Sequence, residues 1–97
     1  GADGHVTVSA LLDEDDEPAG DAWCEVNGLA ETGRSRTPLA EVLESEVTSF
    51  LERADARTLR DDDRLEDEIR KIVRRTAQDE IGKRPEVTVL VSRLGPA

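Results

Sequence analysis

The chain has little of what most hydrolytic enzymes build with. It holds a single cysteine, Cys24, so no internal disulfide can form and a reducing compartment fits. It holds a single histidine, His5, with no second ligand spaced to join it in a metal site. Ser9, Ser35, Ser45, Ser49 and Ser92 therefore have no imidazole placed to activate them as nucleophiles. No apolar run approaches the ~20 residues that span a bilayer, and the N-terminus does not have the form of a secretory signal. The stretch "NGLAETG" lacks the lysine and the strand–loop–helix spacing of a phosphate-binding loop. Aromatics are limited to Trp23 and Phe50. These absences argue against a disulfide-stapled secreted domain, a membrane span and the common catalytic constellations. A cytoplasmic module without cofactor is the expectation. Residues 1–3 read as a linker or cloning remnant, 4–94 as one domain and 95–97 as a tail.

What is present is charge. Of 97 residues, 37% are charged and 36% are hydrophobic, with a net charge of −10. Residues 1–50 hold 12 acidic and 2 basic side chains, whereas 51–97 hold 11 of each, so the excess lies in the first half. Such a balance repels phosphate backbones at long range and argues against tight nucleic-acid binding by the whole surface. The core must be thin and built from Val, Leu, Ile and Ala.

The patterning places five elements. "HVTVSALL" alternates, with Val6, Val8, Ala10 and Leu12 on one side and Thr7, Ser9 and Leu11 on the other, which predicts a half-buried strand. The self-repelling "DEDDEPAGD" reads as a solvated loop to a second strand in "AWCEVNGLA", paired antiparallel with the first. In this strand Cys24 falls on the side of Ala22 and Val26, as a small buried residue. A helix follows, with Thr37 at the N-cap and Pro38 as its first residue, and an apolar stripe of Leu39, Val42, Leu43, Val47, Phe50, Leu51 and Ala54. Glu41, Glu44, Glu46 and Glu52 fall off the stripe, towards water. A second helix carries Leu65, Ile69, Ile72, Val73, Ala77 and Ile81, opened by Asp63 with Glu66 at capping-box spacing. Glu66–Arg70 and Asp67–Lys71 are its expected i,i+4 pairs. Gly82 and Pro85 end it, and "EVTVLVSRL" supplies a last strand. The order β-β-α-α-β predicts an α+β fold, a two-layer sandwich in which two helices cover one face of a three-stranded sheet.

Two surfaces stand out as candidates. If the alternate residues face the helices, the other sheet face carries Leu11, Trp23 and Leu90, an apolar patch of the kind that marks a protein contact. Arg70, Lys71, Arg74 and Arg75 cluster on the second helix, with Lys83 and Arg84 just past its end, and such a face suits RNA phosphates or an acidic neighbour. Acids interleave it, which favours a solvated, salt-bridged face. The "DDD" at 61–63 is better explained as a helix start than as a metal cluster.

In this order the pieces resemble the C-terminal domain of ribonuclease J, a metallo-β-lactamase/β-CASP ribonuclease. "DGHVTVSALLD" is similar to that family's first strand. "LEDEIRKIVRRTAQDEIGKRPEVTVLV" is similar to its second helix and the basic corner before the last strand, in an α-proteobacterial-looking form. The resemblance spans residues 4–94, and "GKRPEVTVLV" is its most specific part. It implies a parent enzyme that hydrolyses RNA, exonucleolytically from the 5′ end and endonucleolytically, in messenger decay and ribosomal-RNA maturation. Zinc is implied in the parent's nuclease domain, through a histidine-rich motif that this chain does not carry. For this domain the resemblance implies a non-catalytic role in dimerisation and in support of the nuclease core, with RNA a partner through the parent enzyme. The alternatives are an RNA-binding accessory domain or a docking module for other RNA-decay proteins. The acidic "DEDDE" and "ARTLRDDD" segments depart from the family pattern and weigh against direct RNA contact.

Overall fold

The computed structural model describes residues 4–95. Expectations for residues 1–3, 96 and 97 lie outside the described residues. The chain forms strands β1 (His5–Leu12) and β2 (Trp23–Asn27), helices α1 (Leu39–Arg53), α2 (Ala56–Arg60) and α3 (Asp62–Ile81), and strand β3 (Glu86–Arg93). The sheet order is β2-β1-β3, with β2 antiparallel and β3 parallel to β1. The α+β sandwich follows as the periodicities predict. One face of the sheet presents Val6, Val8, Ala10, Leu12, Ala22, Cys24, Val87 and Val89 to Leu39, Leu43, Val47 and Leu51 of α1 and Leu65, Ile69, Ile72 and Val73 of α3. No helix stripe is buried anywhere but on that face, so the opposite side of the sheet stays open.

Local differences have clear physical reasons. A short helix, α2, was not expected. Asp55 caps it by accepting from the Thr58 N–H at 2.9 Å, and Leu59 anchors it in the core. At five residues its one apolar anchor leaves no periodicity to read. Helix α1 begins one residue late, because Pro38 itself is the N-cap, with no side-chain cap, rather than Thr37. Ala54, expected on the α1 stripe, is its extended C-cap residue. Helix α3 is capped by Asp61, which accepts from Arg64 N–H at 3.1 Å, so Asp63 lies inside the first turn and the Asp63–Glu66 capping box does not form. In a run of three aspartates the spacing rule cannot choose, and the first one with extended backbone wins. Within α3, the ion pairs among the described residues are Arg70–Asp67 at 3.2 Å and Lys71–Glu68 at 3.7 Å, at i,i+3 rather than the expected i,i+4.

The loop between β2 and α1 closes on the far end of α3. Glu80 receives the Arg34 N–H on its backbone oxygen at 2.8 Å and the Ser35 N–H on Oε1 at 3.3 Å. A Cβ at position 33 would collide with the Glu80 carbonyl, so only glycine fits that approach. Gly82 then ends α3 in the left-handed region at φ 69°, and Pro85 is fully buried at the turn into β3.

Candidate functional site

The open sheet face is built by alternation alone. Every residue that turns Val6, Val8 or Val89 inward turns its neighbour outward, and the register decides which neighbours meet. Ser9 of β1 lies opposite Trp23 on one side and Leu90 on the other, so the three form a single row across the sheet. With strands about 4.8 Å apart, the two large side chains flank the small serine some 10 Å from each other. Leu11 lies two residues along β1 on the same face, beside Ser92, and Leu94 follows just past β3. Their exposures are 55% for Trp23, 51% for Leu90, 52% for Leu94 and 37% for Leu11. Leu94 was not named in the expected patch, although the expected strand "EVTVLVSRL" ran to it and alternation puts it on the side of Leu90; β3 itself ends at Arg93. The other end of this face is polar: His5 and Thr88 hydrogen-bond at 2.7 Å through Nε2 and Oγ1, with Glu25 and Glu86 nearby in register.

The basic residues assemble around an open groove. Arg70, Lys71, Arg74, Arg75 and Arg84 line it together with Asp67, while Lys83 is exposed beside it. Arg74 is held in place by an Nε hydrogen bond to the Pro85 carbonyl at 3.3 Å, which ties the helix to the start of β3. Arg70 is paired with Asp67, so the cluster is partly neutralised from within.

The far side of the molecule is acidic. Asp21, Glu41, Glu44 and Glu52 surround a second groove along α1 and the start of β2. Glu44, expected to face water, instead accepts the Cys24 N–H at 2.9 Å, and Thr48 accepts the Ala22 N–H at 2.9 Å. Helix α1 thereby closes the β2 edge of the sheet. Burial, with the Glu44 carboxylate as a second cause, pushes the Cys24 thiol up to about 12, so it stays protonated and inert.

Sequence reasoning missed Arg93. Its guanidinium donates to Asp16 at 2.7 Å, to Asp62 at 2.6 and 3.0 Å and to the Leu59 carbonyl at 2.8 Å. The hydrogen bond to Asp62 leads the effects that raise its pKa above the ordinary guanidinium range. The acidic loop expected to be merely solvated is thus anchored. Asp13 accepts the Asp15 and Glu17 N–H groups and Asp16 reaches Arg93 from a left-handed backbone at φ 61°. One arginine among eleven basic residues in the second half gives no linear signal for partners 31 and 77 positions away.

No group of three His, Cys, Asp or Glu side chains among the described residues is arranged to hold a metal ion. His5 has Thr88 as its partner, and the residues present do not fit the zinc centre that the resemblance implies for a nuclease domain. Among the described residues no helix is long and apolar enough to cross a membrane. The geometry is that of a small α+β domain with one apolar face and two flanks of opposite charge. Compared with protein families, the chain matches the ribonuclease J C-terminal domain over residues 1–94, and it belongs to that family. A comparison with curated proteins finds no match.

Proposed function

We propose that this domain is a non-catalytic assembly element of a cytoplasmic ribonuclease J, and that its open sheet face meets a second copy of the same domain. The observation that carries this is the row Trp23–Ser9–Leu90. A two-fold axis parallel to β1 above Ser9 sets Trp23 of one copy on Leu90 of the other, with the two serines leaving room between them. The sheets then pack face to face in the aligned manner. The family supports the rest of the reading. The parent hydrolyses RNA from the 5′ end and internally, in messenger decay and ribosomal-RNA maturation, with zinc and catalytic residues in a separate nuclease core. RNA is a partner of that core.

Magnitudes set how strong the contact is. Each of the four large side chains is about half exposed, so covering it contributes roughly 1 kcal/mol, or ~8 kcal/mol over both copies. Association costs at least ~4 kcal/mol in lost freedom, which leaves a reversible dimer of about millimolar dissociation constant for the domain alone. Sedimentation equilibrium carried to millimolar concentration tests this. The account expects a dimer that Trp23→Ala with Leu90→Ser abolishes while the circular dichroism of the monomer is unchanged. A strict monomer would assign the patch to the nuclease core, and a dimer indifferent to both substitutions would remove this face from assembly.

A further inference from the structure

The two edges of the sheet are treated differently. At β2, the outward N–H groups of Ala22 and Cys24 are met by Thr48 and Glu44 of α1. At β3 nothing comparable exists among the described residues. Glu86 N–H bonds the Gly4 carbonyl at 3.2 Å and Leu94 N–H bonds the Leu12 carbonyl at 2.8 Å. The alternation between those two bonds turns the N–H and C=O groups of Thr88, Leu90 and Ser92 towards β1 and those of Val87, Val89 and Val91 outward. No hydrogen bond among the described residues reaches these outward donors, and no strand lies beyond β3 in the sheet.

Above that edge lies the basic flank of α3. The side of α3 towards α1 carries Ile72, Thr76 and Asp79 beside Val42 and Glu46. Glu66, Arg70 and Arg74 occupy the opposite flank, at one-turn spacing and half-buried, and Arg84 joins Arg70 and Arg74 around the groove at the start of β3. Arg70 and Arg74 are about 6 Å apart along the helix axis. Alternate side chains of an extended strand recur at about 6.7 Å, so two of them can meet both guanidiniums.

We propose that the β3 edge takes an extended acidic peptide segment of a partner protein by strand addition. Its backbone pairs with Val87, Val89 and Val91, and alternate carboxylates lie against Arg70, Arg74 and Arg84. Its intervening side chains fall beside Leu90 on the open face. Among the described residues Asp67 is the acid that lines this groove, with Asp63 and Glu66 on the same side of α3 towards its start. Asp67 is already bonded to Arg70, which leaves Arg74 and Arg84 as the stronger anchors. RNA fits this groove less well. The net charge of −10 opposes a polyanion, and neither aromatic lies at the groove to stack a base: Trp23 is on β2 and Phe50 is on α1, under Arg53 at 5.8 Å. A strand edge also offers what a peptide backbone uses and a nucleotide does not. This inference is independent of the face-to-face contact proposed above.

Fluorescence anisotropy tests it with a dye-labelled peptide of about eight residues alternating Glu with Thr or Val, the length of β3. The peptide should bind, and Arg84→Glu, which breaks no hydrogen bond found among the described residues, should weaken it by about tenfold or more. Arg70→Glu with Arg74→Glu should abolish binding, with circular dichroism confirming the helix. Methylating alternate backbone nitrogens of the peptide should also abolish it, whereas Trp23→Ala should leave it unchanged. Equal binding of the methylated peptide would overturn strand addition. Preference for an oligouridine of similar length would overturn the peptide in favour of RNA. Self-association that Arg84→Glu disrupts, without peptide binding, would give the edge to a second copy and overturn the proposal.

Discussion

Arg93 shows how a single side chain can hold together parts that are far apart in sequence. It joins the acidic loop, the α2–α3 junction and the end of β3 through four hydrogen bonds to three residues. The site is partly exposed, so each bond contributes less than it would in a dry core. Arg93→Met is expected to lower unfolding stability by about 1–2 kcal/mol, read as a shift in urea midpoint at constant slope. No change would show that the loop holds its place without this anchor. Cys24 makes the opposite case, a residue whose sequence reading as a small buried hydrophobe holds in the structure. With its thiol pushed up to about 12 by burial, it should resist alkylation at pH 8 in the native protein and react fully in denaturant. Rapid native labelling would mean that β2 opens away from α1. Alternation sufficed to read Cys24, because its environment is set by its own strand. Arg93 depends on three separate segments, and that kind of information is not local.

At the scale of elements, the long periodic segments were legible and the boundaries were not. The apolar repeats of α1 and α3 and the alternation of β1 and β3 appear as expected, since each stripe has only one place to be buried. The caps shifted by one or two residues where chemistry was degenerate, as in Asp61–Asp62–Asp63. Helix α2 was invisible because one apolar anchor, Leu59, cannot define a period. Its existence rests on Asp55, whose carboxyl is held below the usual carboxylate range by the backbone hydrogen bond from Thr58. A depressed native pKa means that the bond stabilises the fold above the ordinary carboxylate pKa. That contribution is lost as pH falls through the lower native value. Asp55→Ala should therefore destabilise the domain at neutral pH, and the difference between the two proteins should shrink as the solution is acidified. A difference that stays constant on acidification would contradict this account of the cap.

Over the whole molecule, the sheet separates three surfaces: an acid flank along α1, a basic flank along α3, and an apolar face away from both. Charge counting along the chain located the acid excess in the first half but not its position across the sheet, because strand order was open until β3 was seen to pair in parallel with β1. The candidate face was legible as Leu11, Trp23 and Leu90, since alternation fixes which way a strand residue points. Only the register shows that Trp23 and Leu90 share a row with Ser9 between them. Membership in the ribonuclease J C-terminal family gives this face its context.

Trp23 is the sole tryptophan, so its fluorescence reports directly on the surface in question. Its emission should be followed from micromolar to millimolar protein, in parallel with sedimentation. The account predicts a blue shift that tracks dimer formation and disappears in Leu90→Ser. A dimer that forms while Trp23 keeps the emission of a water-exposed indole would contradict it.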